Sequence, residues 1–182
     1  MFSASHDTNL LLTGYSGPGQ LAIARATAET LRLPLLHFES RLEARAEMAI
    51  DEFRLRYGET RLRTLESEII DEIALARGSL LYVSGHVLTP GTTLQRLSTT
   101  AVVLCLVAAL DAILRRLHLA MGARYHEPAE RDKAIGVLRR AWSIRGRANV
   151  HEIDTSGLTE AAIVELVIGR WRELSGVIDM GR

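Results

Sequence analysis

The sequence is poor in cysteine, proline, lysine and aromatic residues, and it carries no net charge. Cys105 is the one cysteine in 182 residues, so neither an intrachain disulfide nor a metal-holding cluster of thiolates can form, and a reducing cytoplasm is the expected compartment. With four prolines and no repeated or biased stretch, nothing suggests a solenoid or a disordered tract. Acidic and basic residues number 22 each, which removes the overall field that draws a protein to nucleic acid or an anionic membrane. The longest apolar stretch is interrupted at Asp111, well short of a bilayer span, and residues 1–9 are polar without the basic segment of an export signal. Lys133 is the only lysine; the other 21 basic residues are arginines, a bias that a GC-rich genome explains. The expected partners are therefore small molecules or other protein chains, a second copy of this one included.

What is present is ordinary for one globular domain spanning residues 1–182: 47% hydrophobic and 24% charged residues, enough to bury a substantial core. Asn9 to Thr13 is a short apolar run ending at Gly14, and Leu21 to Leu33 follows it with helical spacing. Leu35 to Phe38 reads as a second strand after Pro34, and Arg41 to Arg77 as helical segments broken near Gly58. Ser79 to Ser84 and Ala101 to Val107 are unbroken apolar runs, the pattern of strands buried on both faces. Leu110 to Leu119 and Ala129 to Trp142 predict helices flanking a loop at 121–128, Val150 to Asp154 a last strand, and 158–174 a closing helix. Alternating strands and helices predict a three-layer α/β/α sandwich on a five-stranded parallel sheet, with ligands at the carboxyl ends of the strands.

Gly14-Tyr15-Ser16-Gly17-Pro18-Gly19-Gln20-Leu21 stands between the first strand and the first helix. Its outer glycines, Gly14 and Gly19, have the spacing of G-x-x-x-x-G-K-[ST], with Gln20 where that motif has lysine and Leu21 where it has a hydroxyl. In a working P-loop the lysine spans the β- and γ-phosphates and the hydroxyl holds Mg²⁺. Glutamine donates hydrogen bonds without bringing positive charge, and leucine cannot ligate a hard cation. The same glycines would also serve a plain strand-to-helix turn; the position at the first strand of an α/β domain favours the P-loop.

From Asn9 to about Thr155 the chain resembles the shikimate kinase family. Gly58-Glu59, Leu62-Arg63 and Glu66 are similar to a family stretch whose arginine binds the substrate carboxylate, which puts Arg63 in that role. Arg140 matches a second substrate-binding arginine, and Arg124, in a shortened lid region at 120–130, the arginine that covers the nucleotide phosphates. His37 and Glu39 fall where the family has two aspartates, one serving Mg²⁺ and the other acting on the substrate hydroxyl as base. Ser84-Gly85-His86 falls at a three-glycine segment that approaches the substrate. The resemblance implies a P-loop kinase fold, substrate contacts from Glu39, Arg63, Gly85, His86 and Arg140, and phosphate contacts from Gly14, Gly17, Gly19, Gln20 and Arg124.

The departures from the family pattern fall on the nucleotide side: the lysine, the Mg²⁺ hydroxyl, one aspartate and two glycines. The leading expectation is a non-catalytic binder of a small carboxylate, with Glu39 accepting from a hydroxyl and no metal among the residues of the site. The alternatives are an active kinase using ATP and Mg²⁺ with Lys133 or an arginine lending charge, Glu39 then being catalytic, and a regulatory scaffold. Residues 129–148 also resemble the shikimate-kinase-like effector domain of regulators that sense aromatic acyl-CoA, which extends the ligand class to a CoA ester. Those regulators carry a helix-turn-helix domain, for which the residues before Asn9 leave no room.

Overall fold

The computed structural model describes residues 7–15, 17, 19–88, 92–122 and 127–176. Five strands form one parallel sheet: β1 (Asn9–Gly14), β2 (Leu35–His37), β3 (Leu80–Tyr82), β4 (Ala101–Val107) and β5 (Val150–Asp154). Their order across the sheet is β2-β3-β1-β4-β5, so the chain reverses direction of travel at β1 and opens a crevice at its carboxyl end. The register pairs Leu11 with Leu81 on one side and with Val103 on the other. Helices α1 (Gln20–Leu31), α2 (Phe38–Ala46), α3 (Ile50–Ala74), α4 (Thr93–Ser98), α5 (Leu110–Met121), α6 (Pro128–Ala141) and α7 (Glu160–Ser175), with a 3-10 turn at Trp142–Ile144, complete the described elements.

The period of two along each strand divides the core into two layers. Leu11, Leu81, Val103 and Cys105 face α2, α3 and α4, where they meet Phe38, Leu42, Ile69 and Ile73. Leu10, Leu12, Leu80, Leu104 and Leu106 point the other way, onto Ile23 and Ala24 of α1 and Ile163 and Val167 of α7. Apolar side chains on both faces of every central strand are why those strands read as continuous runs rather than alternating ones. A smaller apolar group joins Ile113 and Leu117 of α5 to Leu138 and Ala141 of α6 and to Tyr15.

Two expectations about element ends need correction. Phe38 does not extend β2; it opens α2, and its side chain turns into the core beneath β1 and β3. The strand expected over 79–84 is shorter as a ladder, although Val83 N and Gly85 N still donate to Leu12 O and Gly14 O, so the chain keeps following β1 to its end. The break near Gly58 is real: Gly58 takes φ 83° and ψ 167° inside α3, a conformation that favours glycine, and it separates Arg54 from Arg63.

No helix among the described residues is long and apolar enough to cross a membrane.

Candidate functional site

Two cavities open near the carboxyl end of the sheet. The larger, about 640 Å³, lies between α3, the loop after β3, the start of α4 and the end of α6. Arg54, Arg63, His86, Arg96 and Arg140 supply its basic side chains and Glu59 and Glu66 its carboxylates. Arg63 and Arg140, far apart in sequence, thus meet on one cavity. Arg54 is held between Asp51 Oδ1 at 2.8 Å and Glu59 Oε2 at 3.2 Å, and Arg63 Nε stands 3.6 Å from Glu59 Oε1. Arg96 is paired with Asp71. Arg140, by contrast, has no carboxylate within ion-pair distance among the described residues, so its charge is the one left for an anion. Burial and the neighbouring Glu59 raise the Glu66 carboxyl above its usual value, against the pull of Arg54 and Arg63.

Glu39 and Gly85 do not line this cavity. Glu39 stands at the start of α2, where its Oε1 accepts from Ser84 Oγ. Its Oε2 is shut off from solvent and lies 3.0 Å from His37 Nε2, within ion-pair distance but without hydrogen-bond alignment. Burial opposes ionisation of Glu39, yet the close approach of His37 and the hydrogen bonds from Ser84 and the backbone outweigh it and hold the carboxyl below its ordinary value. His37 is fixed from the other side: Nδ1 lies 2.6 Å from Ser40 Oγ, and the ring stacks on Tyr82 at 5.1 Å between centroids. Gly85 serves packing. Its N–H donates to Gly14 O at 2.8 Å, and a side chain there would run into the Ala141 and Gly14 carbonyl oxygens.

The second cavity, about 330 Å³, adjoins the glycine-rich loop and is lined by Tyr15, Gly19, Gln20, Ile23, Arg116 and Glu160, among others. Gly14 has φ 146°, and a side chain there would strike the Leu106 carbonyl of β4; Gly19 has φ 85° and faces Glu160 Oε1. Gln20 is 2% exposed and its Oε1 has no hydrogen-bond partner. Leu21 turns away from the cavity onto the core between α1 and α7. Ser16, Pro18 and Arg124, the last with its expected lid role, lie outside the described residues. Lys133 is exposed on α6 and lines neither cavity.

These donors do not suit Mg²⁺. Leu21 brings no oxygen, His37 is a nitrogen donor already engaged, Glu39 Oε2 is shut off from solvent and Glu39 Oε1 already accepts from Ser84. No group of three His, Cys, Asp or Glu able to hold a metal occurs among the described residues.

The sequence model of the shikimate kinase family matches residues 16–171. The chain belongs to that family. A shikimate kinase from Thermodesulfovibrio yellowstonii is 27% identical over 170 residues, spanning 92% of this chain and 96% of the relative. The fold is that of the family's solved structures. Shikimate kinase from Bacteroides thetaiotaomicron superposes with a TM-score of 0.74 at 23% identity, over 92% of this chain and 97% of that one. The enzyme from Acinetobacter baumannii in complex with shikimate gives 0.71 at 19% identity, with 97% of each chain covered.

Arg116 and Ser84 were not among the candidates singled out from the sequence. Arg116 is one of 21 arginines, and no pattern marks it before the fold brings it to the loop. Ser84 differs from the family's glycine, a departure that could have drawn attention to its hydroxyl.

Proposed function

We propose that this chain binds a small hydroxylated carboxylate of the shikimate class in the larger cavity, with Arg140 and Arg63 as its carboxylate anchors. The observation that carries this reading is the convergence of these two arginines on one cavity, where Arg140 has no carboxylate within ion-pair distance among the described residues. A guanidinium suits a carboxylate because it offers two parallel charge-assisted hydrogen bonds. An open cavity of about 640 Å³ accommodates a ring of that size.

ATP-dependent phosphorylation of the bound acid is the second reading, and the comparisons favour it over binding alone. Relatives named shikimate kinase match over nine-tenths of the chain, and nothing in those matches points to a binder without turnover. Against it stands the chemistry of the loop. Gln20 carries no charge to a transferring phosphoryl group, and Leu21 no oxygen to a metal.

Thermal-shift and calorimetric titration with shikimate, quinate, benzoate and their CoA esters test the binding. Absence of a response to every one of them overturns it. ADP release from ATP and shikimate decides the second reading, measured for the native protein beside a Gln20→Lys, Leu21→Ser double variant. Turnover by the native protein establishes a kinase; turnover by the double variant alone establishes a binder whose loop chemistry has been lost.

A further inference from the structure

Ser84, 2% exposed, stands between Glu39 and His86: its Oγ is hydrogen-bonded to Glu39 Oε1 and lies 3.1 Å from His86 Nδ1. A hydroxyl has one hydrogen to give. An ionised carboxylate can only accept, so the Ser84 hydrogen is directed at Glu39, and the Ser84 oxygen presents a lone pair to His86. His86 Nδ1 must then carry a hydrogen. Burial disfavours the charged ring and the nearby Arg140 and Arg54 add to this, against the opposing pull of Glu39, so the ring titrates below its ordinary value and is neutral at pH 7. A neutral imidazole with its hydrogen on Nδ1 has a bare Nε2 on the edge away from Ser84.

We propose that His86 Nε2, rather than Glu39, is the acceptor that meets a hydroxyl of the carboxylate ligand, and that Ser84 and Glu39 position it. This rests on the binding reading given above and specifies its ligand: an acid with a hydrogen-bond donor on its ring or chain, not a plain aromatic acid. His86 lines the cavity together with Arg63 and Arg140, whereas Glu39 does not. Of the Glu39 oxygens, Oε2 is shut off from solvent beside His37 and Oε1 already accepts from Ser84. The charged groups around His86 are Arg54, Arg63, Glu59 and Glu66 of α3, Arg96 of α4, Arg140 of α6 and Glu39 of α2. His86 is exposed on the cavity wall of the ligand-free chain, so its Nε2 is open to a ligand hydroxyl; once a bound ligand covers it, an analogue without that hydroxyl leaves the acceptor unpaired.

Two measurements test this. Long-range ¹H–¹⁵N spectra of the ligand-free protein, with the ring assigned through His86→Gln, should report a protonated Nδ1 and a bare Nε2 at neutral pH. Glu39→Gln and Ser84→Ala should each abolish that single tautomer, a change that a purely structural role for either residue would not produce. A ring protonated on Nε2 in the native protein overturns the proposal. Calorimetric titration with shikimate and its three monodeoxy analogues should reveal at least about tenfold weaker binding for one analogue, as expected for loss of a hydrogen bond that leaves its acceptor unpaired. His86→Ala should erase that difference and His86→Gln, which restores an acceptor, should recover part of it. Arg140→Ala should weaken all four ligands alike. Discrimination that survives in His86→Ala sinks this inference and leaves the binding reading standing. Failure of the native protein to bind any of the four sinks the binding reading, and this inference with it.

Discussion

Arg116 of α5 donates through Nη1 to the Tyr15 hydroxyl at 2.9 Å, in the turn that follows β1. The same nitrogen reaches Thr155 Oγ1 at 3.1 Å, and Nη2 donates to the Thr155 carbonyl at the end of β5. One guanidinium therefore ties the glycine-rich loop to the far edge of the sheet, and it does so beside Gln20, where the family motif has its lysine. Its charge is present at the loop, but its donors are directed at the protein's own oxygens.

Arg116→Ala should lower stability by about 1–3 kcal/mol, because the part-buried Thr155 and Tyr15 oxygens lose a charged donor. Chemical denaturation checks this. Arg116→Lys should recover only part of the loss, since an ammonium cannot span the three acceptors as a planar fork does. Full recovery with lysine would mean that charge alone matters there.

Arg140→Ala should weaken shikimate binding by roughly tenfold or more, the scale of a lost charge-assisted hydrogen bond, while leaving the melting temperature nearly unchanged because the side chain is exposed and pairs with no carboxylate among the described residues. Arg139→Ala, on the same exposed turn but not lining the cavity, is the control and should leave affinity as it is. Equal losses for both variants would argue for a general field rather than an anchor.

Gly85→Ala should destabilise the fold and disturb the larger cavity, because the added methyl meets two backbone carbonyls, those of Ala141 and of Gly14 at 2.9 Å, and neither can give way as a flexible side chain would. Thermal unfolding measures the first effect and ligand titration the second. Gly58→Ala offers a useful comparison: open space surrounds that position, so any cost there comes from φ 83° alone.

Stability should rise with pH in two steps. Glu39 has its folded value below the ordinary 4.5, so its contribution is present above that pH and is lost as pH falls through the folded value. His86 has its folded value below the ordinary 6.5, so the unfolded chain binds more protons just under that pH and the folded state loses ground as pH drops. Urea titrations from pH 7 downward should find the upper step flattened in His86→Gln and the lower one in Glu39→Gln. An upper step that persists in His86→Gln belongs to another histidine.

The amino-acid sequence by itself determined the sheet and most of its helices. Ala101–Val107 and Val150–Asp154 are strands within the bounds that their apolar runs predict, and Gly58 breaks its helix where the periodicity falters. Such features are local: burial on both faces writes an unbroken run, and a positive φ selects glycine. The family landmarks were legible for the same reason, being short spacings along the chain. What only the tertiary structure decided is which side chains meet. Arg63 and Arg140 share a cavity because the crossovers bring α3 and α6 to one end of the sheet. Glu39 was expected to face the ligand; Ser84, 45 residues further on, donates to it, and His86 rather than Glu39 lines the larger cavity. Arg116 reaches Tyr15 across 101 residues. Hydrogen-bond partners of this kind depend on how strands are ordered and how helices return, and periodicity along the chain carries no record of either.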